Sequence, residues 1–245
     1  MYSARDLYSR GAETVVASWE AYTHGSHGAA VVRSPGVAAA VFPAEPARSV
    51  YNNALIEREL GPSARTAALD AMEAAYASAG VSRFAVWVHE SDEALRRDVA
   101  ARGYGLDSST RAMGMALDEA RPRPPAIELA PPDWGEYLRV AELPAGLLDD
   151  VDPRAFHVRI ARVAGQSVSA GIAFDGDGDC GIYNVGTLAH ARRRGAGTAV
   201  TAVLVHDAAA RGCETASLQS TAMGERMYAA IGFRDLGRIL EYVPG

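Results

Sequence analysis

The chain contains no lysine; all 24 of its basic residues are arginine. This removes the lysine that a P-loop needs to reach a nucleotide phosphate. It also leaves the protein without a side-chain amine of its own to modify. Cysteine is nearly as scarce, with only Cys180 and Cys213, no CxxC pair and no metal-ligand spacing. Two thiols suit a reducing cytoplasm and give no disulfide framework. No apolar run approaches the roughly 18 residues of a membrane span, and Met1 to Arg10 lack the charged-then-apolar order of a secretory signal. The net charge of −6 gives no general attraction to nucleic acid or to anionic lipid. The glycines of Arg192 to Gly197 are spaced Gly-Ala-Gly and are not a GxGxxG fingerprint, and no Gly-x-Ser-x-Gly elbow occurs. The expectation is a cytoplasmic protein with no metal, no nucleic acid and no membrane partner, and with room for a homodimer. Heavy use of Ala, Gly and Arg points to a GC-rich, bacterial genome.

What is present is an ordinary globular composition, 49% apolar over 245 residues, enough for one large core or two small ones. The run Arg121 to Pro132, RPRPPAIELAPP, carries five prolines that forbid a continuous helix. It reads as a linker into an edge strand around Ile127 to Leu129. The expected division is a first half at 1–120, a linker at 121–132 and a second domain at 126–245.

The two sides of the linker repeat one order of elements. In the second half, strands are expected at His157 to Val163, Ser167 to Phe174 and Cys180 to Thr187. A turn ending at Gly197 follows, then a helix Thr198 to Arg211 stopped by Gly212. Next come a strand Thr215 to Leu218, a helix Gly224 to Ala230, Gly232-Phe233 and a last strand Arg238 to Val243. In the first half the series is a helix Arg65 to Ser78 stopped by Gly80, a strand Phe84 to His89 and a helix Asp92 to Ala101. Gly103-Tyr104 and a strand Met113 to Leu117 complete it. Trp134 to Leu148 is amphipathic. Alternating strands and helices predict an α/β (α+β sandwich) fold, a mixed sheet flanked by helices, duplicated along the chain.

The turn Arg192-Arg193-Arg194-Gly195-Ala196-Gly197 lies between a strand and a helix. There, glycines let successive N–H groups point into one concavity, and the helix adds its unpaired N–H groups and dipole. Three arginines raise the local potential, and Thr198 adds a hydroxyl. A pyrophosphate fits such a nest; a tight turn with solvated arginines is the simpler alternative.

Arg-x-x-Gly-x-Gly between a strand and a helix resembles the cofactor motif of the GNAT superfamily of N-acetyltransferases. Tyr228-Ala229-Ala230-Ile231-Gly232-Phe233 is similar to that family's closing Tyr-x-x-x-Gly-Phe pattern. The resemblance covers roughly Ala126 to Gly245. It implies acetyl-CoA as co-substrate, with the pyrophosphate on Arg192, Arg193, Arg194, Gly195, Ala196, Gly197 and Thr198. The pantetheine arm would pair along Val185, Gly186, Thr187 and Leu188, with the Leu188 amide or a near neighbour polarising the thioester carbonyl. Tyr228 matches the tyrosine that protonates the departing thiolate. The family's asparagine seven residues before it is replaced by Thr221, beside Ser220. No carboxylate stands on Cys180 to Thr187 to serve as the base; Glu225, Asp149, Asp150 and Asp152 are the candidates, each more simply solvated surface.

The implied reaction is acetyl transfer to a primary amine, of a small molecule or a peptide, by direct attack in a ternary complex. The alternatives are a non-catalytic acyl-CoA-binding sensor and a transferase for a bulkier acyl group. The first-half counterpart of the turn is Arg58 to Ser63, where Pro62 removes a donor and Glu59 adds negative charge. Val99 stands where Tyr228 stands in the second half, so the first half reads as a non-catalytic copy. Tyr51-Asn52-Asn53 lies on the corresponding central strand, where it could face the acceptor; a strand end satisfying its own backbone is the simpler reading. Asp175, Asp177 and Asp179 resemble the start of a calcium loop but lack its closing glutamate, which favours a hairpin turn. His24 and His27 read as a surface pair without a third ligand.

Overall fold

A computed structural model describes residues 2–118, 126–143 and 150–245. The chain divides into two compact units that do not follow a single cut. One comprises Trp19–Arg111 with Gly237–Gly245; the other comprises Met1–Ser18 with Ala112–Leu236. This differs from the expected 1–120 and 126–245 division at both ends. The reason is strand pairing: the final strand's Ile239 to Tyr242 pair antiparallel with His89 to Val86 of the first half. Of the expected linker, residues 121–125 lie outside the described residues.

The unit built mainly from the first half contains β1 (Ala30–Ser34), β2 (Val37–Val41), β3 (Asn53–Ile56) and β4 (Ala85–His89). It also holds the first part of β5 (Tyr104–Ala116) and the last part of β11 (Arg234–Pro244), in the order β1-β2-β3-β4-β11-β5. Helix α2 (Pro62–Ser78) buries Ala68, Leu69, Met72 and Tyr76 along one face, the spacing of an amphipathic helix. Tyr76 stacks on Phe84 with ring centroids 4.0 Å apart. Helix α3 (Glu93–Ala101) starts at Asp92, whose side chain accepts from the Leu95 N–H. Asn52 accepts from the Phe42 N–H and donates to the carbonyls of Glu45 and Arg48. Its capacity is spent on neighbouring backbone.

The other unit carries β6 (Glu128–Ala130), β7 (His157–Val163), β8 (Gln166–Gly176), β9 (Asp179–Thr187) and β10 (Thr215–Ser220). With the shared strands the order is β11-β5-β10-β9-β8-β7-β6. Its helices are α1 (Ala4–Thr23) up to Ser18, α4 (Trp134–Val140), α5 (Ala196–Arg211) and α6 (Glu225–Ile231). The expected helix at Trp134 to Leu148 is found as α4, while 144–149 lie outside the described residues. Both hairpins turn on two residues with positive φ, Ala164-Gly165 and Asp177-Gly178, the corner that matches strand twist. The three aspartates of the second hairpin diverge: Asp175 holds Arg211, Asp177 forms the corner and Asp179 is buried. Helix α5 is buried on most of its surface, through Val200, Val203, Leu204, Val205 and five smaller residues. It packs with Cys180, Ile182, Leu218, Tyr228 and Phe233 into one core. Cys180 and Cys213 are free thiols, the first buried and the second half-buried.

Candidate functional site

Strands β9 and β10 run parallel but stay together for only part of their length. Their register pairs Asp179 with Thr215, Cys180 with Ala216 and Gly181 with Ser217, and stops there. The closed end is pinned by the buried Asp179 carboxylate, which accepts from Thr215 Oγ1 at 2.7 Å and Ser217 Oγ at 2.6 Å. Burial pushes this carboxyl up, and the hydroxyls draw it back.

Further along, β9 pairs with β8 through a bulge. Ile172 faces Tyr183 and Ala170 faces Gly186, so Gly171 opposes both Asn184 and Val185. Asn184 sits at φ 51°, in the left-handed region that asparagine tolerates. Gly171 makes room: a Cβ there would lie 3.0 Å from Val185 Cγ2. A bulge bends its strand and leaves one residue out of the ladder. Pinned at one end and bulged at the other, β9 diverges from β10 and opens a wedge from Ile182 onward. Gly186 lies against α4, since a Cβ there would meet Ala141 Cα at 2.7 Å. The fully buried Tyr137 of α4 turns its hydroxyl towards Asn184, and burial raises its pKa.

The arginine–glycine turn follows β9. Arg193 at φ 61° and Gly195 at φ 84° both take left-handed backbone, and Gly195 is the N-cap of α5 without a side-chain cap. The first N–H groups of α5 therefore point outward from a helix start that carries partial positive charge. A Cβ on Gly197 would sit 3.1 Å from Thr187 Oγ1 and 3.6 Å from Met227 Sδ. Strand end, turn and α6 thus converge on this glycine. Thr187 Oγ1 is held 2.9 Å from Ser169 Oγ. The side chains of Arg192, Arg193 and Arg194 are exposed. Arg192 donates through Nε to the Thr187 carbonyl at 2.9 Å and through Nη2 to Glu142 at 3.3 Å. A cradle of outward N–H groups, glycine where a side chain would intrude, and nearby guanidinium groups fits a pyrophosphate.

On the other side of the wedge, β10 ends at Ser220, whose Oγ donates to the Thr221 carbonyl at 2.8 Å. Thr221 is exposed. A Cβ on Gly224 would lie 2.8 Å from both Ser220 Oγ and Tyr228 Cε2. Glycine here lets the Tyr228 ring rest on the loop that closes β10. The ring meets Phe233 edge-on at 6.0 Å, and burial pushes the phenol up to about 12.

Tyr228, the turn, Val185 to Thr187 and Thr221 are therefore distributed around one wedge. Leu188 departs from expectation. It lies beyond β9, and its N–H donates to the Val168 carbonyl at 2.9 Å, so it is committed to the sheet. Among the candidate bases, Asp152 caps a 3-10 turn and pairs with Arg154 at 2.9 Å. Asp150 is exposed, Glu225 opens α6, and Asp149 lies outside the described residues. The bulge at Asn184 and the contact of Glu142 were not anticipated. An asparagine inside a strand-like run, where asparagine is disfavoured, is the signal that would have marked the bulge.

No family model matches the chain, and no curated protein matches it. Solved structures do. A GCN5-related N-acetyltransferase from Kribbella flavida is 19% identical, covering 94% of this chain and 95% of that one at a TM-score of 0.69. A GCN5-related N-acetyltransferase from Sphaerobacter thermophilus is 16% identical, with coverage of 95% and 84% and a TM-score of 0.62. A tandem GNAT protein from the clavulanic acid biosynthesis pathway is 13% identical, with coverage of 99% and 96% and a TM-score of 0.58. At these identities the likeness establishes the fold: a GNAT-type mixed sheet flanked by helices.

Proposed function

We propose that this GNAT-type chain transfers an acetyl group from acetyl-CoA to a primary amine in the wedge beside β9, and that its first half is a non-catalytic copy of the same fold. The observation that carries this reading is the pairing of β9 with β10, which ends at Gly181 while Tyr228 stands at the open end of β10.

Acetyl-CoA would supply an acetyl group activated as a thioester. The turn from Arg193 to Thr198 would hold its pyrophosphate. The open edge of β9, Val185 to Thr187, would pair with its amide-bearing arm, and Ser220 and Thr221 would flank the same arm. With Leu188 committed to Val168, the polarising N–H falls to the bulge residues Asn184 and Val185. Tyr228 Oη holds a proton at the open end, where the leaving sulfur requires one. The raised phenol keeps that proton at any physiological pH.

The first half supports the non-catalytic assignment. Glu59 at φ 62° stands three residues before α2, as Arg193 at φ 61° stands three before α5. Yet the Glu59 N–H donates to Asp92 Oδ2 at 3.1 Å, so the protein's own carboxylate occupies a donor of that turn. Strands β3 and β4 also pair up to Leu55 and Trp87, one residue short of the end of β3. No wedge of the β9–β10 kind opens there.

An alkylamine with a pKa of about 10.4 is neutral roughly once in 2,500 molecules at pH 7, equivalent to about 4–5 kcal/mol. An acceptor of lower basicity escapes most of that penalty. The test is thiol release from acetyl-CoA across amines of graded pKa. Turnover on at least one amine is expected. Binding of acetyl-CoA without turnover on any amine would transfer the reading to a non-catalytic acyl-CoA-binding protein. Turnover with longer acyl-CoA thioesters alone would make it a transferase for a bulkier acyl group.

A further inference from the structure

Arg192 opens the motif, but its side chain does not stand free for a phosphate. Its Nε is 2.9 Å from the Thr187 carbonyl and its Nη2 is 3.3 Å from Glu142 Oε2. Glu142 reaches it from just beyond α4, at φ 56°, a conformation that a glutamate rarely adopts. The preceding residue, Ala141, packs its backbone on Gly186, with no room for a side chain there. The guanidinium therefore ties the end of β9 to the end of α4, directly beside the anion-binding turn. Both partners are about half exposed, 46% and 55%. A pair of that kind is weak, and a pyrophosphate with more negative charge and more acceptor oxygens competes well for the same guanidinium. The first half offers a parallel, since its equivalent turn donates to the carboxylate of Asp92.

We infer that Glu142 is a built-in competitor for the cofactor's phosphate at Arg192, and that phosphate capture by Arg192 releases the end of α4 from the turn. The inference rests on the acetyl-CoA reading above. Arg192 is then a positioning residue that exchanges one anion for another, while the backbone N–H groups of the turn do most of the holding.

The test measures dissociation constants by calorimetry for acetyl-CoA and for acetyl-pantetheine, which lacks the pyrophosphate. Glu142→Gln is expected to tighten acetyl-CoA about threefold and leave acetyl-pantetheine unchanged. Arg192→Gln is expected to weaken acetyl-CoA about tenfold, and in that background Glu142→Gln should have no further effect. Arg192→Lys, which keeps the charge, should recover part of the loss. Glu142→Gln with unchanged or weaker acetyl-CoA binding overturns the inference, as does equal tightening of acetyl-pantetheine. Wild-type protein that binds no acetyl-CoA removes the underlying reading instead, so the two failures are distinguishable.

Discussion

Tyr228→Phe is expected to lower kcat by about 10²–10⁴ while leaving acetyl-CoA affinity unchanged, the signature of a lost general acid. The ring packs edge-on against Phe233 inside the core shared with Leu218 and Val205. Phenylalanine keeps that packing, so the folded state should melt within a few degrees of the wild type. The pH profile gives an independent check. The acid works in its protonated form, and burial has raised its pKa, so the proton persists to higher pH than on an ordinary phenol of pKa about 10. With the phenol at about 12, kcat/KM should rise as the amine deprotonates and show no descending limb before pH 11. A descending limb near pH 10 in the wild type, absent in an amine-independent control, would contradict the burial argument. A variant with undiminished kcat would remove Tyr228 from the chemistry and leave it a packing residue.

Gly197→Val should weaken acetyl-CoA binding by about 100-fold or more. Its Cβ alone would reach within 3.1 Å of Thr187 Oγ1, and the branched methyls would enter the space bounded by Met227. The N–H groups at the start of α5 would then be covered where the pyrophosphate must approach. Each charge-assisted hydrogen bond of this type contributes about 1.5–3 kcal/mol, and blocking even two of them reaches the stated loss. The substitution leaves the core residues Val200, Leu204 and Val205 in place. Circular dichroism should therefore show a folded protein that binds poorly. Retained affinity would mean that the cofactor lies elsewhere.

The legible parts of this fold were those that neighbouring residues decide. Gly212 at φ 98° stops α5, as its position after Arg211 suggests, and the Asp177-Gly178 corner follows from local turn chemistry. The arginine–glycine turn and Tyr228 lie on short-range patterns, Arg192 to Gly197 and Tyr228 to Phe233, that are readable without knowledge of any distant partner. What escaped was set by pairing between distant segments. The Leu188 amide looked available until β8 supplied the Val168 carbonyl. The bulge depends on Gly171 of β8 tolerating Val185, and no local signal in β9 states that partner. The termini were divided differently because α1 up to Ser18 packs in the second-half unit, with Gly11 against Ser217, while the end of β11 pairs with β4.

The central claim, one working cofactor site per chain, is tested most directly by calorimetric titration of the full chain with acetyl-CoA. The account predicts one molecule bound per chain, with binding strongly weakened in Gly197→Val. Absence of binding, two equivalent sites per chain, or full binding by Gly197→Val would contradict it.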